Sequence, residues 1–269
     1  MLYSCKSLFQ RIKTQVAEEV AGFKEKPHVL VVTTGYDEPS ERYVRNKVKD
    51  FADVGIECTV FNAKTREELL GAIVENGAWA DGIIVQRPIL IPGWNTKLAN
   101  KEVALVMPSH ADIDGIKRDS SFMPPSVRGL DILLREWGYD PTGKTAVVIG
   151  RGDVGKPVSE YLLGRDATVT ICHSKTKKGD RIFTYRNADI VVGAAGLKYP
   201  VYPYTRRYNG VLIDYGITKD ENGNLHGDIA PMCAEYAKYQ TSVPGGMGLM
   251  VRAGLLLNII DAYRKWRTA

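Results

Sequence analysis

The sequence predicts an α/β protein of two domains. Short, continuous apolar segments alternate with helical patterns along the first 90 residues, and the same alternation begins again at Thr145. Such runs are typical of strands buried on both faces of a parallel sheet, and their alternation with helices favours right-handed βαβ crossovers. A length of 269 residues also suits two domains of about 100–200 residues each.

The first block opens with a helix. Leu8, Ile12, Val16 and Val20 recur at helical spacing, which predicts an amphipathic helix over about the first 20 residues. Strand, helix, strand, helix and strand then follow over residues 28–35, 42–55, 57–62, 65–77 and 81–86. The fourth of these begins with a capping box, in which Thr65 precedes Glu68 by three residues.

A proline-containing segment, 86–94, separates this block from a predicted helix over 96–106. A loop over 112–116 and a hinge over 120–129 then lead into a helix over 130–138. The second block predicts strands and helices over 145–150, 154–164, 167–174, 179–187, 189–196 and 211–217. Asn222-Gly223 is a turn signal, and a helix over 249–266 ends the chain.

Composition excludes several classes of protein. The 44% hydrophobic and 25% charged fractions are ordinary for a globular chain, not a disordered one. The net charge of +5 without a long basic run does not imply nucleic-acid binding, and suits anionic small molecules at least as well. No apolar stretch reaches the ~18 residues of a membrane span. We therefore expect a soluble, cytoplasmic protein.

Cysteine and histidine spacing predicts neither a disulfide framework nor a metal site. The four cysteines and four histidines are scattered, at Cys5, Cys58, Cys172 and Cys233 and at His28, His110, His173 and His226.

The clearest motif is the G-x-G-x-x-G of residues 150–155, which follows a predicted strand and opens a predicted helix. Gly150 permits the tight turn, Gly152 lets the backbone approach a pyrophosphate, and Gly155 lets helix and strand pack closely. The helix N-terminus adds N–H groups and a positive dipole end. This context predicts a dinucleotide site, although a plain glycine-rich turn is the alternative.

The end of the next strand points to NADP. An NAD site usually carries a carboxylate there, about 20 residues after the glycines. This chain instead has Ser174 and Lys175, and together with Arg151 these could bind a 2′-phosphate. The alternative is a solvated strand end.

A second constellation lies in the first block. Tyr43 and Lys47 are four residues apart and share a helix face, Gln86 ends a strand, and Asp114 lies in a glycine-containing loop. A lysine shielded from water beside such groups would have a lowered pKa and could transfer a proton. Spacing alone favours a solvated lysine.

Taken together, the segments resemble those of the bifunctional methylenetetrahydrofolate dehydrogenase/methenyltetrahydrofolate cyclohydrolase family. The similar segments run in order along nearly the whole chain, as SERYVRNKVKDFADVGI (40–56), DGIIVQRPI (81–89), DIDGI (112–116), VVIGRGDVGKP (147–157), TVTICHSKT (168–176), IDYGI (213–217), GDI (227–229) and VPGGMG (243–248).

The resemblance implies roles for individual residues. Lys47 is the catalytic lysine, Tyr43 lies against the pterin, Gln86 bonds to the lysine and Asp114 binds the pterin. The implied reactions are NADP-dependent oxidation of 5,10-methylene-tetrahydrofolate and hydrolysis of the methenyl product to 10-formyl-tetrahydrofolate. Implied cofactor residues are Gly150, Arg151, Gly152, Asp153, Val154, Gly155, His173, Ser174, Lys175, Ala195, Gly196 and Ile217. Implied substrate residues are Tyr43, Asp114, Pro244, Gly245 and Gly246.

The chain departs from the family pattern in three places. Its glycine turn is one residue shorter, which we expect to change phosphate contacts and cofactor preference. Val127 replaces a proline, and Leu249 and Val251 stand where the family usually has Pro and Thr. The set formed by Lys47, Gln86 and Asp114 is intact.

The predicted architecture is an N-terminal αβα catalytic domain of residues 1–119, closed by the C-terminal helix within 245–269, and a Rossmann-type NADP-binding domain of residues 120–244. The resemblance implies a homodimer formed through the NADP-binding domain. Two rival functions remain open: another two-domain NADP dehydrogenase, such as a shikimate-type one, and a non-catalytic folate- or nucleotide-binding module.

Overall fold

The computed structural model describes residues 1–34, 38–203 and 209–267, with side chains for all of these except 38–40. The chain divides into two compact units. We call Gln10–Pro125 with Arg252–Ala269 the N-terminal unit, and Met1–Phe9 with Ser126–Val251 the central unit. The domain bounds predicted from the sequence stay a prediction.

Helices and strands follow the predicted alternation. In chain order they are β1 (Leu2–Tyr3), α1 (Lys6–Ala21), β2 (His28–Thr33), α2 (Glu38–Asp53), β3 (Glu57–Asn62), α3 (Arg66–Asn76), β4 (Gly82–Val85), α4 (Thr96–Val106), α5 (Pro125–Glu136), β5 (Thr145–Ile149), α6 (Gly155–Gly164), β6 (Thr168–Cys172), α7 (Lys178–Arg186), β7 (Ile190–Gly193), β8 (Val211–Asp214), β9 (Thr218–Lys219), β10 (Leu225–His226), β11 (Tyr239–Thr241) and α8 (Met247–Arg267). Gly35, the last residue of the first predicted strand, lies outside the described residues.

The N-terminal unit contains a three-stranded parallel sheet in the order β3-β2-β4. The continuous apolar run of β2 is buried on both faces, as expected for a central strand. The edge strand β3 is largely exposed. Leu30 and Ile83 belong to a core that also includes Leu69 of α3 and Val103 of α4. One half of the predicted capping box forms, since Thr65 Oγ1 accepts the backbone N–H of Glu68, whereas the Glu68 carboxylate accepts the N–H of Lys64, one residue before the cap.

The C-terminal helix returns to the N-terminal unit, as predicted. The Asn258 amide donates to the carbonyl oxygens of Ile113 and Met123 at 2.7 and 2.8 Å. The ring of Tyr263 stacks on Phe23 with centroids 4.4 Å apart. Since these residues are distant in the sequence, α8 closes the unit by tertiary contacts.

The central unit is built on a six-stranded parallel sheet in the order β1-β11-β8-β7-β5-β6. The first predicted strand of the second block, β5, lies between β6 and β7, so the direction of winding reverses at its carboxyl end. Ligands of open α/β sheets bind at such switch points. Gly150, directly after β5, is therefore placed at the expected binding crevice.

Several predicted boundaries shift by up to four residues, such as that of the helix predicted over 42–55, which spans Glu38–Asp53, and two differ by more. Leu2 and Tyr3 are not helical but pair with β11, and the amino group of Met1 donates to the carbonyl oxygen of Ala237 at 2.9 Å. Two residues are too few to show a period, so this strand carried no signal. Helix α5 begins within the predicted hinge, at Pro125, because proline suits the first turn of a helix.

Candidate active site

A lysine–amide contact forms the centre of the N-terminal unit's candidate site. Lys47 lies on α2, and its Nζ donates to Oε1 of Gln86 at 3.3 Å. Gln86 follows β4 directly, and its own backbone N–H bonds to Val32 of β2 at 2.8 Å. The amide is further fixed because its Nε2 donates to the Arg87 carbonyl oxygen at 2.8 Å. The sheet therefore aims Gln86 at Lys47, which is the contact that the family resemblance implies.

The environment of Lys47 favours the neutral amine. Burial lowers the pKa of Lys47 below its ordinary value, and the nearby Arg87 cation lowers it further. The Asp114 carboxylate acts in the opposite direction and raises it, but burial dominates. Asp114 is therefore close enough to sense the charge of Lys47, so the structure brings together Lys47, Gln86 and Asp114. A lowered pKa makes the neutral amine, the form that accepts a proton, easier to reach.

The loop that carries Asp114 is organised by Asp112. The fully buried Asp112 carboxylate accepts the backbone N–H groups of Ile116 at 2.9 Å and Lys117 at 3.0 Å. Gly115 supports the turn with a φ of +62°, a conformation that favours glycine. Sequence reasoning named Asp114 but not Asp112; the D-x-D-G spacing was the available signal, because the first carboxylate can cap the turn that presents the second.

Tyr43 lies one helical turn before Lys47 on α2. Its side chain is 44% exposed, which leaves the ring accessible to a ligand. Partial burial raises the pKa of the Tyr43 hydroxyl, with the Arg42 cation opposing, so the phenol is neutral at physiological pH. Its role against a pterin stays a prediction.

The glycine turn of the central unit leaves space beside the backbone. Gly150 has a φ of +124°, and a Cβ there would overlap the carbonyl of Ala194. A Cβ on Gly155 would overlap the Gly150 carbonyl, whereas Gly152 has open space around it. The turn therefore has the close packing and open backbone that a pyrophosphate cradle requires, and the residues fit a dinucleotide. Val154 precedes α6 without a side-chain cap bond, and Asp153 is exposed.

The strand ends that were predicted to bind a 2′-phosphate lie side by side. The Gly150 N–H donates to the Cys172 carbonyl oxygen at 2.9 Å, which places the start of the glycine turn beside the end of β6. Arg151, Ser174 and Lys175 are all exposed. The Lys175 N–H donates to Nδ1 of His173 at 3.1 Å, so the two residues share one turn.

The remaining predicted residues are distributed over three further parts of the central unit: the loop after β7, the turn after β8 and the segment before α8. Ala195 and Gly196 follow β7, while Ile217, which is 46% exposed, follows β8. Gly245 has a φ of +94°, and its carbonyl oxygen accepts the N–H of Cys5. Substrate contacts of Pro244, Gly245 and Gly246 stay a prediction.

Among residues 1–34, 38–203 and 209–267, no group of three or more His, Cys, Asp or Glu side chains could hold a metal ion. Within the same residues no helix is long and apolar enough to cross a bilayer. The four cysteines carry free thiols.

These features define a class: two-domain α/β enzymes that pair a Rossmann-type nucleotide unit with a second unit holding a shielded lysine. Comparison with known families specifies the class further. Residues 3–114 match the catalytic domain of the tetrahydrofolate dehydrogenase/cyclohydrolase family, and residues 124–267 match its NAD(P)-binding domain. The chain belongs to this family.

Individual relatives are similar to this chain over almost its full length. The chain is 34% identical to the bifunctional protein FolD of Hydrogenobaculum sp. over 97% of both chains, and 36% identical to that of Moorella thermoacetica over 97% of both. The structure is similar to that of Trypanosoma brucei methylenetetrahydrofolate dehydrogenase-cyclohydrolase, solved with NADP and an inhibitor. That comparison has a TM-score of 0.89 and 28% identity, and covers 100% of this chain and 99% of the other.

The predicted family and the two-domain fold are confirmed by these matches, as is the prediction of a bifunctional enzyme with a nicotinamide dinucleotide cofactor. Both family domains are present in one chain. This finding argues against the two rival functions, a shikimate-type dehydrogenase and a non-catalytic binding module. The roles of individual site residues stay predictions.

Proposed function

We propose that the chain oxidises 5,10-methylene-tetrahydrofolate with NADP and hydrolyses the resulting methenyl compound to 10-formyl-tetrahydrofolate, with Lys47 as the proton carrier. The observation that carries the proposal is the shielded contact of Lys47 with Gln86, beside Asp114. It lies in the unit that matches the family's catalytic domain.

In the first reaction the protein supplies mainly orientation. Bound NADP would supply the hydride acceptor for the methylene carbon of the folate. The Gly150–Gly155 turn would hold the pyrophosphate, and Arg151, Ser174 and Lys175 would bind the 2′-phosphate as charge-assisted donors. Asp114 accepts hydrogen bonds from the pterin. These contacts convert the encounter of two reactants into a fixed geometry.

In the second reaction Lys47 moves a proton. The neutral amine accepts a proton from the water that attacks the methenyl carbon, and a carbon–oxygen bond forms. The ammonium then returns a proton to N5 as the bond from carbon to N5 breaks, leaving the formyl group on N10. The second proton of the water is released to solvent. Gln86 keeps the Nζ of Lys47 oriented throughout.

The test mixes the purified protein with 5,10-methylene-tetrahydrofolate and either NADP or NAD, and follows nicotinamide reduction by absorbance. Hydrolysis of added methenyl substrate is followed in parallel. Reduction with NADP together with hydrolysis supports the proposal. Hydrolysis without reduction would mean that the shortened glycine turn has removed dehydrogenase activity, and the absence of both reactions would refute the proposal.

We also propose a cytoplasmic homodimer formed through the central unit, without a nucleic-acid partner. The family resemblance and the modest charge of +5 support this. Sedimentation at equilibrium tests the dimer, and a monomer mass at micromolar concentration would contradict it. Cell fractionation tests the cytoplasmic location. A gel-shift assay with duplex DNA and RNA tests whether the protein binds nucleic acid.

A further inference from the structure

Two buried carboxylates lie beneath the loops of the central unit that carry predicted cofactor residues. Asp214 ends β8 and is 2% exposed, and Asp228 follows β10 and is 0% exposed. Burying a carboxylate without hydrogen-bond partners costs free energy of folding, so we ask which groups bind these two. Neither has a role in the proposed chemistry.

The Asp228 carboxylate accepts hydrogen bonds from three successive backbone N–H groups of the loop after β7. Its Oδ2 accepts from Ala195 and, at 3.2 Å, from Gly196, while Oδ1 accepts from Leu197 at 2.9 Å. Gly196 and Leu197 are themselves exposed, so apolar burial does not fix them. The carboxylate of Asp228 therefore sets the conformation of this loop.

The Asp214 carboxylate in turn holds the backbone at Asp228. Oδ1 of Asp214 accepts the N–H of Gly216 at 2.8 Å and that of Asp228 at 2.9 Å, and Oδ2 accepts that of Ile229 at 2.8 Å. The same carboxylate thus fixes the turn that precedes Ile217 and the backbone of Asp228. Two loops with predicted cofactor residues are joined through one pair of acids.

The packing around the acids leaves no spare volume. A Cβ on Gly216 would overlap the Asp228 carboxylate, and one on Gly227 would overlap that of Asp214. Burial raises the pKa of both acids, that of Asp214 to about 7, against the opposing effect of the N–H bonds. The glycines of the IDYG and GDI segments are explained by this close approach.

We propose that Asp228 is a positioning residue for cofactor binding, holding the amides of residues 195–197 in the conformation that receives the dinucleotide, with Asp214 aligning it. The inference rests on the proposed function, because that function makes the loop a cofactor contact. It adds residues that act through the loop and not by touching the cofactor.

The first test needs no substitution and no cofactor. Hydrogen exchange of wild-type protein is measured at the amides of Ala195, Gly196 and Leu197. We expect exchange at least about tenfold slower than in a free loop, because buried charge-assisted hydrogen bonds resist opening. Free-loop exchange at these three amides would overturn the proposal.

The second test compares Asp228→Asn with Asp220→Asn. The matched control removes a nearby carboxylate of the same segment, which bonds to Asn224 and His226. For Asp228→Asn we expect faster exchange at 195–197 and an NADP dissociation constant, from nucleotide fluorescence, raised about tenfold or more. The control should stay within twofold in both measurements.

Methenyl hydrolysis separates positioning from unfolding. Its proposed groups, Lys47 and Gln86, belong to the N-terminal unit, so Asp228→Asn should retain it within about twofold. Unchanged NADP affinity and exchange in this variant would overturn the proposal. If the variant loses hydrolysis and unfolds, the wild-type exchange result decides. Wild-type protein that binds no NADP would refute the proposed function, while the exchange data would still report on the loop.

Discussion

The helix that carries Lys47 is held by a buried ion network centred on Asp50. The Asp50 carboxylate, 3% exposed, accepts from Nζ of Lys13 on α1 at 3.1 Å and from Nε of Arg252 on α8. Lys13 also contacts Asp53 at 2.6 Å. The side chains of Lys13 and Arg252 are only 11% and 23% exposed, so water cannot readily replace the carboxylate.

Asp50→Ala should therefore be strongly destabilising. Removing one partner from a buried ion pair costs about 3–5 kcal/mol, because the opposite charge stays in a poorly solvated place. For a chain of this size each kcal/mol corresponds to about 2–4 °C, so a loss of 3 kcal/mol lowers the Tm by about 6–12 °C. Urea unfolding, followed by circular dichroism, gives the free energy directly. Methenyl hydrolysis should fall with it, since α2 presents Lys47.

Two further variants make this reasoning refutable. Glu41→Ala breaks an ion pair with Arg45 on the same helix, where both side chains are at least half exposed; the expected loss is below about 0.5 kcal/mol. Replacing all three buried ions by Asp50→Leu, Lys13→Met and Arg252→Met should recover much of the stability lost in Asp50→Ala. A loss below 1 kcal/mol in Asp50→Ala would show that the network contributes little.

Three other substitutions test the chemistry. Lys47→Met should abolish methenyl hydrolysis with an unchanged circular dichroism spectrum. Its control, Lys49→Met, alters an exposed lysine of the same helix and should retain hydrolysis. Near-normal hydrolysis by the Lys47→Met variant would show that Lys47 is not catalytic. Arg151→Ala should raise the Michaelis constant for NADP about tenfold or more but leave that for NAD nearly unchanged, and equal effects would exclude 2′-phosphate recognition. Arg87→Gln removes a cation that lowers the pKa of Lys47, so that pKa should rise and the acid limb of the hydrolysis pH–rate profile should move to higher pH. Arg45→Gln is its control, and an unmoved limb would contradict the assignment.

Much of the fold could be predicted because the local patterns agree with the tertiary arrangement. The continuous apolar run of β2 predicts a buried strand, Gly150 is predicted to lie between a strand and a helix, and the structure has both as expected. The short strands β1 and β11 could not be found, since two or three residues show no period. β1 depends on its pairing with β11, between residues about 240 positions apart in the sequence, and β11 pairs with β8 as well.

The candidate site likewise contains residues that the sequence predicts and one that it does not. Lys47, Gln86 and Asp114 occupy predictable places in elements, at a helix face, a strand end and a loop, and the structure brings them together. Asp112 was missed although it precedes Asp114 by two residues, because a carboxylate that caps its own loop resembles any turn residue in sequence.

The residues that sequence reasoning could not find have a common physical character. Asp50 and Asp228 are carboxylates with partners supplied by other elements: Asp50 bonds to Arg252, 202 residues away, and Asp228 to Ala195, 33 residues away. A carboxylate on a helix or in a turn normally predicts solvent exposure. Only tertiary packing buries these two, and burial then makes each depend on its partners. Motifs therefore identify the residues predicted to contact a ligand, whereas the burial and partners of the acids that hold those elements in place become visible only with the structure.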